Sequence, residues 1–478
     1  MNAITIPQLQ ENDFVLLKEY VNSFPIDLKD SAMLDSFCGM IEIKNNRIHA
    51  ILKSKAEDFI VQEINSEKKV IPIKKKWLMN NYNKKGKYLN AVLVKNNVET
   101  FHLLKRIKKS LPQDKVKMHL AGIKDKKAIT AQEISFINTT KKDVERIKNS
   151  FHRVKLHSIY YSNKKMYSGC NWGNFFHLKL RMPDSEQESN ANTIKNQFND
   201  RITEGIPNYF GRQRFSWFRP IGHIVGWNIL KKQPYLALQR YLSFPIVKEN
   251  EKTLEERLFL NDYLKDVIKK EKIIAKKENI QVLKREVRIA NNIMRTYNDP
   301  WRGIYNIPKK VLHLYIQAVS SYIFNLYLKE RQKNNISWFK PLSGEKTVDS
   351  IIYAPFIGFD YDDFNLEKTE AGQIVQKILL NLDLKPSDFD LREQKHIWRG
   401  FKTSWRPIII PISKNDLHIK YGVSKAYKII KTIRLRKENT NVIKIKVKLP
   451  SGCYLTSFLR PIFDVVVPFN SQDSLTDL

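Results

Sequence analysis

The residues best placed to do chemistry lie within 118–135, MHLAGIKDKKAITAQEIS. The apolar run 118–121 reads as a strand, 122–127 as a polar turn, and 128–136 as a second strand of β-branched, apolar and polar residues. One acid, Asp125, stands at the tip of the turn between Lys124, Lys126 and Lys127. Ammonium neighbours favour a charged carboxylate and lower its pKa. An ionised, positioned carboxylate can act as nucleophile or general base. On spacing alone, a solvated charged turn is the commoner explanation.

The elements that must position such an acid come from a chain of 478 residues, long enough for about three domains. A hydrophobic fraction of 42% supports sizeable cores. The 83 Lys+Arg against 49 Asp+Glu give a net charge of +34. That balance suits a polyanion partner, nucleic acid first and an anionic membrane second. AT-rich coding, which inflates Lys and Asn without functional meaning, is the competing explanation for part of the excess. Cys38, Cys170 and Cys453 are far apart, so neither a disulfide framework nor a zinc site is expected. No His has a partner at metal-ligand spacing. The first residues, MNAITIPQLQENDF, lack a basic-then-apolar signal pattern, and no apolar run approaches the roughly 18 residues that span a bilayer. The expectation is a soluble, intracellular protein, cytoplasmic or nuclear, with no membrane partner.

Along the chain, 49–64 ends in an alternating strand pattern. Residues 65–87 interleave lysines with Trp77 and Tyr82, a composition suited to backbone contact and base stacking as well as to a solvated loop. A strand at 89–94 precedes a helix that Asn97 is expected to cap, with Phe101, Leu104, Ile107 and Leu111 as its apolar stripe. In GNFFHLKLR, 173–181, Phe176, Leu178 and Leu180 alternate with His177, Lys179 and Arg181, as in a half-buried strand. Phe176 there is either core or the apolar floor of a pocket. Residues 251–297 and 311–331 read as helices. Residues 442–449 alternate Val442, Lys444, Lys446 and Lys448 with Ile443, Ile445, Val447 and Leu449, another half-buried strand. The acidic end, 470–478, reads as disordered.

Several of these blocks resemble the TruD-type pseudouridine synthase family. GIKDKKAITAQ is similar to its Gly, Lys-Asp-Lys/Arg, Thr, Gln signature. Lys53, Glu57, Asp58, Phe59, Val61 and Glu63 match its Lys-x-x-x-Glu-Asp-Phe-x-Val-x-Glu, with Ala56 where Pro is usual. Gly173, Asn174 and Phe176 match Gly-Asn-x-Phe. Pro207, Asn208, Phe210, Gly211, Gln213, Arg214 and Phe215 match Pro-Asn-x-Phe-Gly-x-Gln-Arg-Phe, followed by Ser216 in place of Gly. Gln317, Ser321, Phe324 and Asn325 match a family helix. Leu449, Pro450, Gly452, Tyr454, Thr456, Leu459 and Arg460 match its closing block, with Leu455 and Pro461 departing. The blocks keep the family's order over roughly 49–465.

The resemblance implies an α/β (α+β) fold: a discontinuous catalytic domain with a mixed, largely antiparallel sheet, at 49–204 and 413–470. An inserted α+β domain at 205–412 would sit across a cleft. Residues 1–48 would be an N-terminal extension and 471–478 an acidic tail. It implies isomerisation of a uridine in RNA, chiefly tRNA at position 13 and in eukaryotic relatives also position 35. Asp125 would be the catalytic residue, attacking the sugar or abstracting a proton. Lys53 would pair with it, Phe176 and Tyr454 would sandwich the uracil, and Asn174 would hydrogen-bond nearby. Lys124, Lys126, Arg212 and Arg214 would contact RNA, Arg212 and Arg214 as phosphate ligands. No metal or organic cofactor is implied. A non-catalytic RNA-binding protein on the same fold is the alternative.

Overall fold

The computed structural model describes residues 31–41, 43, 47–75, 86–112, 115–182, 191–216, 219–244, 251–268, 283, 286–289, 300–394, 401–430 and 434–467. The expectations for Trp77, Tyr82, most of 269–297 and the acidic end lie outside these residues. Two compact units emerge, one from Asn46–Ile206 with Ile410–Asp477, the other built mainly from Pro207–Ile409.

The chain begins the first unit with β1 (Ile48–Ile51), β2 (Phe59–Ile64), β3 (Tyr88–Asn96), β4 (Lys117–Leu120), β5 (Ile129–Ile137), β6 (Val154–Ser162) and β7 (Gly173–Arg181). It then passes into the second unit, where β8 (Lys346–Val348), β9 (Ile351–Phe356) and β10 (Ser404–Pro407) form a small antiparallel sheet. It returns to add β11 (Leu417–Ile430), β12 (Arg434–Pro450) and β13 (Phe463–Val466) to the first. The main sheet runs β11-β12-β7-β2-β5-β3-β6, with β4 paired to β5 and β1 to β13 and β7. β2 pairs with β5 and β1 with β13 in parallel, and the other pairings are antiparallel. The architecture is therefore α+β with a mixed, largely antiparallel sheet.

Alternation explains which residues line each face. Phe176, Leu178 and Leu180 join Phe59, Val61, Ile443, Ile445, Val447 and Leu449 in one core. The helix Ala191–Glu204 contributes Ile194 and Phe198 to it, and Phe198 stacks on Phe458 at 4.8 Å. A second core joins Leu89, Ala91, Leu93, Ile134 and Phe136 to the helices Thr100–Lys109 and Lys141–Ile147. The helix Thr100–Lys109 is where the sequence expectation fails in detail. Glu99 caps it, accepting from the Phe101 and His102 amides, while Asn97 sits before the cap at φ +53°. The buried stripe is consequently Leu103, Ile107 and Leu111, and Phe101 is exposed.

In the second unit the Pro207–Phe215 block does structural work. Phe210 exchanges two backbone hydrogen bonds with the side chain of Asn325 on the helix Lys309–Lys333. The Arg406 guanidinium lies 3.7 Å over the Phe210 ring and donates to Asn208.

Within the first unit, Arg181 holds Asp58 through two hydrogen bonds of 2.7 and 2.9 Å, and both side chains are buried. Asp58 belongs to the Glu-Asp-Phe block ahead of β2, so the pair ties that block to β7. Removing one partner of a buried pair leaves a charge without compensation. Asp58→Ala is expected to lower the unfolding free energy by about 3–5 kcal/mol in urea titrations.

Candidate active site

The turn between β4 and β5 carries Asp125 on backbone that the sheet holds at several points. Ala121 accepts from the Gly169 amide at 2.7 Å. Gln132 of β5 donates to the Gly122 carbonyl at 3.0 Å. Thr100 donates to the Lys124 carbonyl at 3.1 Å. Lys95, at the end of β3 and fully buried, donates to the carbonyls of Asp125 (2.6 Å), Lys124 (3.1 Å) and Val98 (3.0 Å).

Lys53 meets Asp125 head on, with Nζ 3.0 Å from Oδ1. Lys53 follows β1 in a left-handed conformation, φ +57°, unusual for a residue with a β-carbon. Its ammonium also lies 4.2 Å over the ring of Phe59, the first residue of β2. The Asp125 carboxylate remains one-third exposed, against 14% for Lys53. Burial pushes the Asp125 pKa up, but the charge and hydrogen bond of Lys53 and the charges of Lys95 and Lys124 outweigh it. The net shift is downward, so the acid stays ionised at neutral pH.

The sequence places Lys124, Lys126 and Lys127 around Asp125; the structure supplies Lys53, Lys95 and Lys124 as the cations that act on it. Lys124 is 7% exposed, and its ammonium sits 3.0 Å from Glu63 Oε2, committed to an internal pair rather than offered to solvent. Glu63 also accepts from the Glu133 amide, and Glu133 accepts from the Tyr160 hydroxyl at 2.6 Å. Burial raises the Glu133 pKa against the pull of that hydroxyl.

Asn174 lies directly across from Glu63 in the β2–β7 register, and its buried Oδ1 has no protein partner. Gly173 before it packs so close to β12 that a β-carbon there would collide with the Leu449 carbonyl. Phe176 packs edge-on to Phe59 at 6.1 Å, within the core, and so joins the Lys53 side of the site through Phe59. Tyr454 is half-buried at the start of the short helix Leu455–Leu459, just past the Pro450–Gly173 pairing. Lys126 is half-buried on the Asp125 turn. Arg212 and Arg214 belong to the other unit. Arg212 pairs with Asp35 at 3.0 Å, and Arg214 donates to Ser321 and Gln317. Both guanidiniums are thus engaged within that unit.

Sequence reasoning passes over Lys95 in this network, and gives Glu63 and Gln132, which fall in the family-like motifs, no role at the site. Their signal is a polar residue at a strand position whose alternation neighbours are buried, such as Lys95 after Leu89, Ala91 and Leu93. Among the described residues no group of three His, Cys, Asp or Glu could hold a metal ion, and no helix is long and apolar enough to cross a membrane.

The fold is shared with a solved structure from Methanosarcina mazei titled "Putative tRNA pseudouridine synthase D (TruD)". The two align with a TM-score of 0.61 and 23% identity over 90% of this chain and 97% of that one. The family model of tRNA pseudouridine synthase D (TruD) matches residues 40–351, and the chain belongs to that family. Relatives named "probable tRNA pseudouridine synthase D" include one from Methanosarcina mazei, 27% identical over 62% of this chain, and one from Methanosarcina acetivorans, 28% identical over 87%. The alignment spans 63% of the length of the first and 92% of the second.

Burial gives Lys95 a pKa of about 8, below the usual 10.5, although Asp125 and Glu99 pull it upward. Lys53 and Lys124 add to the lowering. Between those values the unfolded chain binds more protons than the folded one, so the Lys95 contribution to stability rises with pH. In urea titrations from pH 8 to 10.5, wild type is expected to gain stability relative to Lys95→Met. The slope should not exceed about 1.4 kcal/mol per pH unit.

Proposed function

We propose that this protein isomerises a uridine in tRNA to pseudouridine, with Asp125 as the catalytic carboxylate. The observation that carries the reading is the Lys53–Asp125 pair at 3.0 Å on the turn bearing the TruD-family signature. It supplies an ionised and partly exposed carboxylate held in one orientation.

The chemistry sets what the site must do. The N1–C1′ bond of uridine breaks, the base turns, C5 bonds to C1′, the C5 proton leaves, and N1 takes up a proton. Atoms and electrons balance without an oxidant, reductant or energy donor. A uracil stacked in folded RNA must first leave its stack to reach the carboxylate. Asp125 then either attacks C1′ or removes a sugar proton to promote glycosidic cleavage. Lys53 keeps it ionised and aimed. Asn174 offers a buried carbonyl oxygen to a base N–H. Phe176 and Tyr454 provide aromatic surface for the uracil, Phe176 with most of its ring already spent on the core. The net charge of +34 suits a tRNA substrate, with uridine 13 the position the family suggests. Such a substrate puts the protein in a compartment that holds tRNA, cytoplasm or nucleus.

The test is tritium release from tRNA carrying 5-tritiated uridine, because forming the C5–C1′ bond expels the label. Wild type is expected to release it, and Asp125→Asn to lose at least roughly a thousandfold in rate at matched RNA occupancy. Equal release by both would remove Asp125 from the chemistry. Tight RNA binding without release across a panel of RNAs would favour a binding protein. Lys53→Met is expected to cut kcat roughly a hundredfold. Since the reaction needs ionised Asp125 and Lys53 lowers its pKa, the acid limb of kcat should also move to higher pH.

A further inference from the structure

We infer that Lys95 is a positioning residue for the reaction: its buried ammonium clamps the backbone of the Asp125 turn and thereby aims the carboxylate at Lys53. The inference rests on the reading of Asp125 as the catalytic group.

An ammonium has three N–H donors and no acceptor. Lys95 aims them at three backbone carbonyls, and two of these, Lys124 and Asp125, are consecutive on the turn. The third, on Val98, lies on the short link between β3 and the helix Thr100–Lys109. One side chain therefore ties the turn to that link. Thr100 adds a second donor to the Lys124 carbonyl from the first residue of the helix. Two adjacent carbonyls on one cation fix the peptide orientation at Asp125, and so the direction in which its side chain leaves the backbone. The carboxylate itself is bonded elsewhere, to Lys53. A fully buried lysine is costly unless its donors are used. Leu or Met would pack in a β-strand without that cost, so packing alone does not account for Lys at this position. Effective catalysis needs the reacting group placed to within a fraction of an ångström.

The experiment compares wild type, Lys95→Met and Thr100→Val. It follows three quantities: amide hydrogen exchange at Gly169 and Ala128, which donate to the Ala121 and Lys126 carbonyls of the turn; the tRNA dissociation constant; and kcat for tritium release. For Lys95→Met the expected result is exchange at those two amides at least tenfold faster, with β12 unchanged. Its dissociation constant should stay within threefold and its kcat fall at least a hundredfold. Thr100→Val should move both quantities in the same direction by less, and it carries the test if Lys95→Met does not fold. Exchange within twofold of wild type would overturn the clamp, as would faster exchange with kcat unchanged. If wild type releases no tritium from any RNA, the proposed function fails, and the exchange result alone judges the clamp.

Discussion

The site depends on keeping one carboxylate charged while removing part of its water. Asp125 is two-thirds covered, and burial by itself would push its proton affinity up. Lys53 reverses that from 3.0 Å, and the charges of Lys95 and Lys124 reinforce it. Three cations around one anion would repel each other if left uncompensated. The structure limits this by giving Lys124 its own partner in Glu63 and by giving all three Lys95 donors to carbonyls. The outcome is an acid that is ionised, oriented and still reachable, which is what nucleophilic or general-base chemistry demands.

That electrostatic arrangement explains the local architecture. β2 and β5 run parallel, bringing the block after β1 alongside the turn before β5. Lys53 takes a left-handed backbone at the end of β1, and Phe59 lies beneath its ammonium. The Asp58–Arg181 pair anchors the same block to β7, which carries Asn174 and Phe176. Residues that look like a chemical motif in the sequence thus divide into two jobs. Asp125 and Lys53 form the ion pair of the candidate site, while Asp58, Phe59 and Gly173 hold the strands that place them.

Much of the fold was legible because alternation and apolar runs are local signals. The strands around 118–136, 173–181 and 442–449 follow directly from them. The helix after β3 was legible as an element but not as a face, since its register depends on Glu99 rather than Asn97 as the cap. Asp125 stood out by its lysine neighbours, though a lone acid among lysines is weak evidence on spacing, and Lys53 was named only through the resemblance. The rest was hidden by non-local pairing. The sequence offers no sign that Arg212 pairs with Asp35, 177 residues away, or that Arg214 donates to Gln317, 103 residues away. Lys95 draws no notice in the sequence, because its partners, two carbonyls of the Asp125 turn, are brought onto its ammonium only by the fold.

The central claim is that Asp125 is ionised because Lys53 and its neighbours make it so. The direct measurement is a carboxyl titration by carbon-13 NMR of protein labelled at aspartate, with Asp125 assigned by its absence in Asp125→Asn. The account predicts a midpoint for Asp125 below the ordinary aspartate value of about 3.9, moving upward in Lys53→Met. A wild-type midpoint at or above that value, or one that Lys53→Met leaves in place, would contradict it.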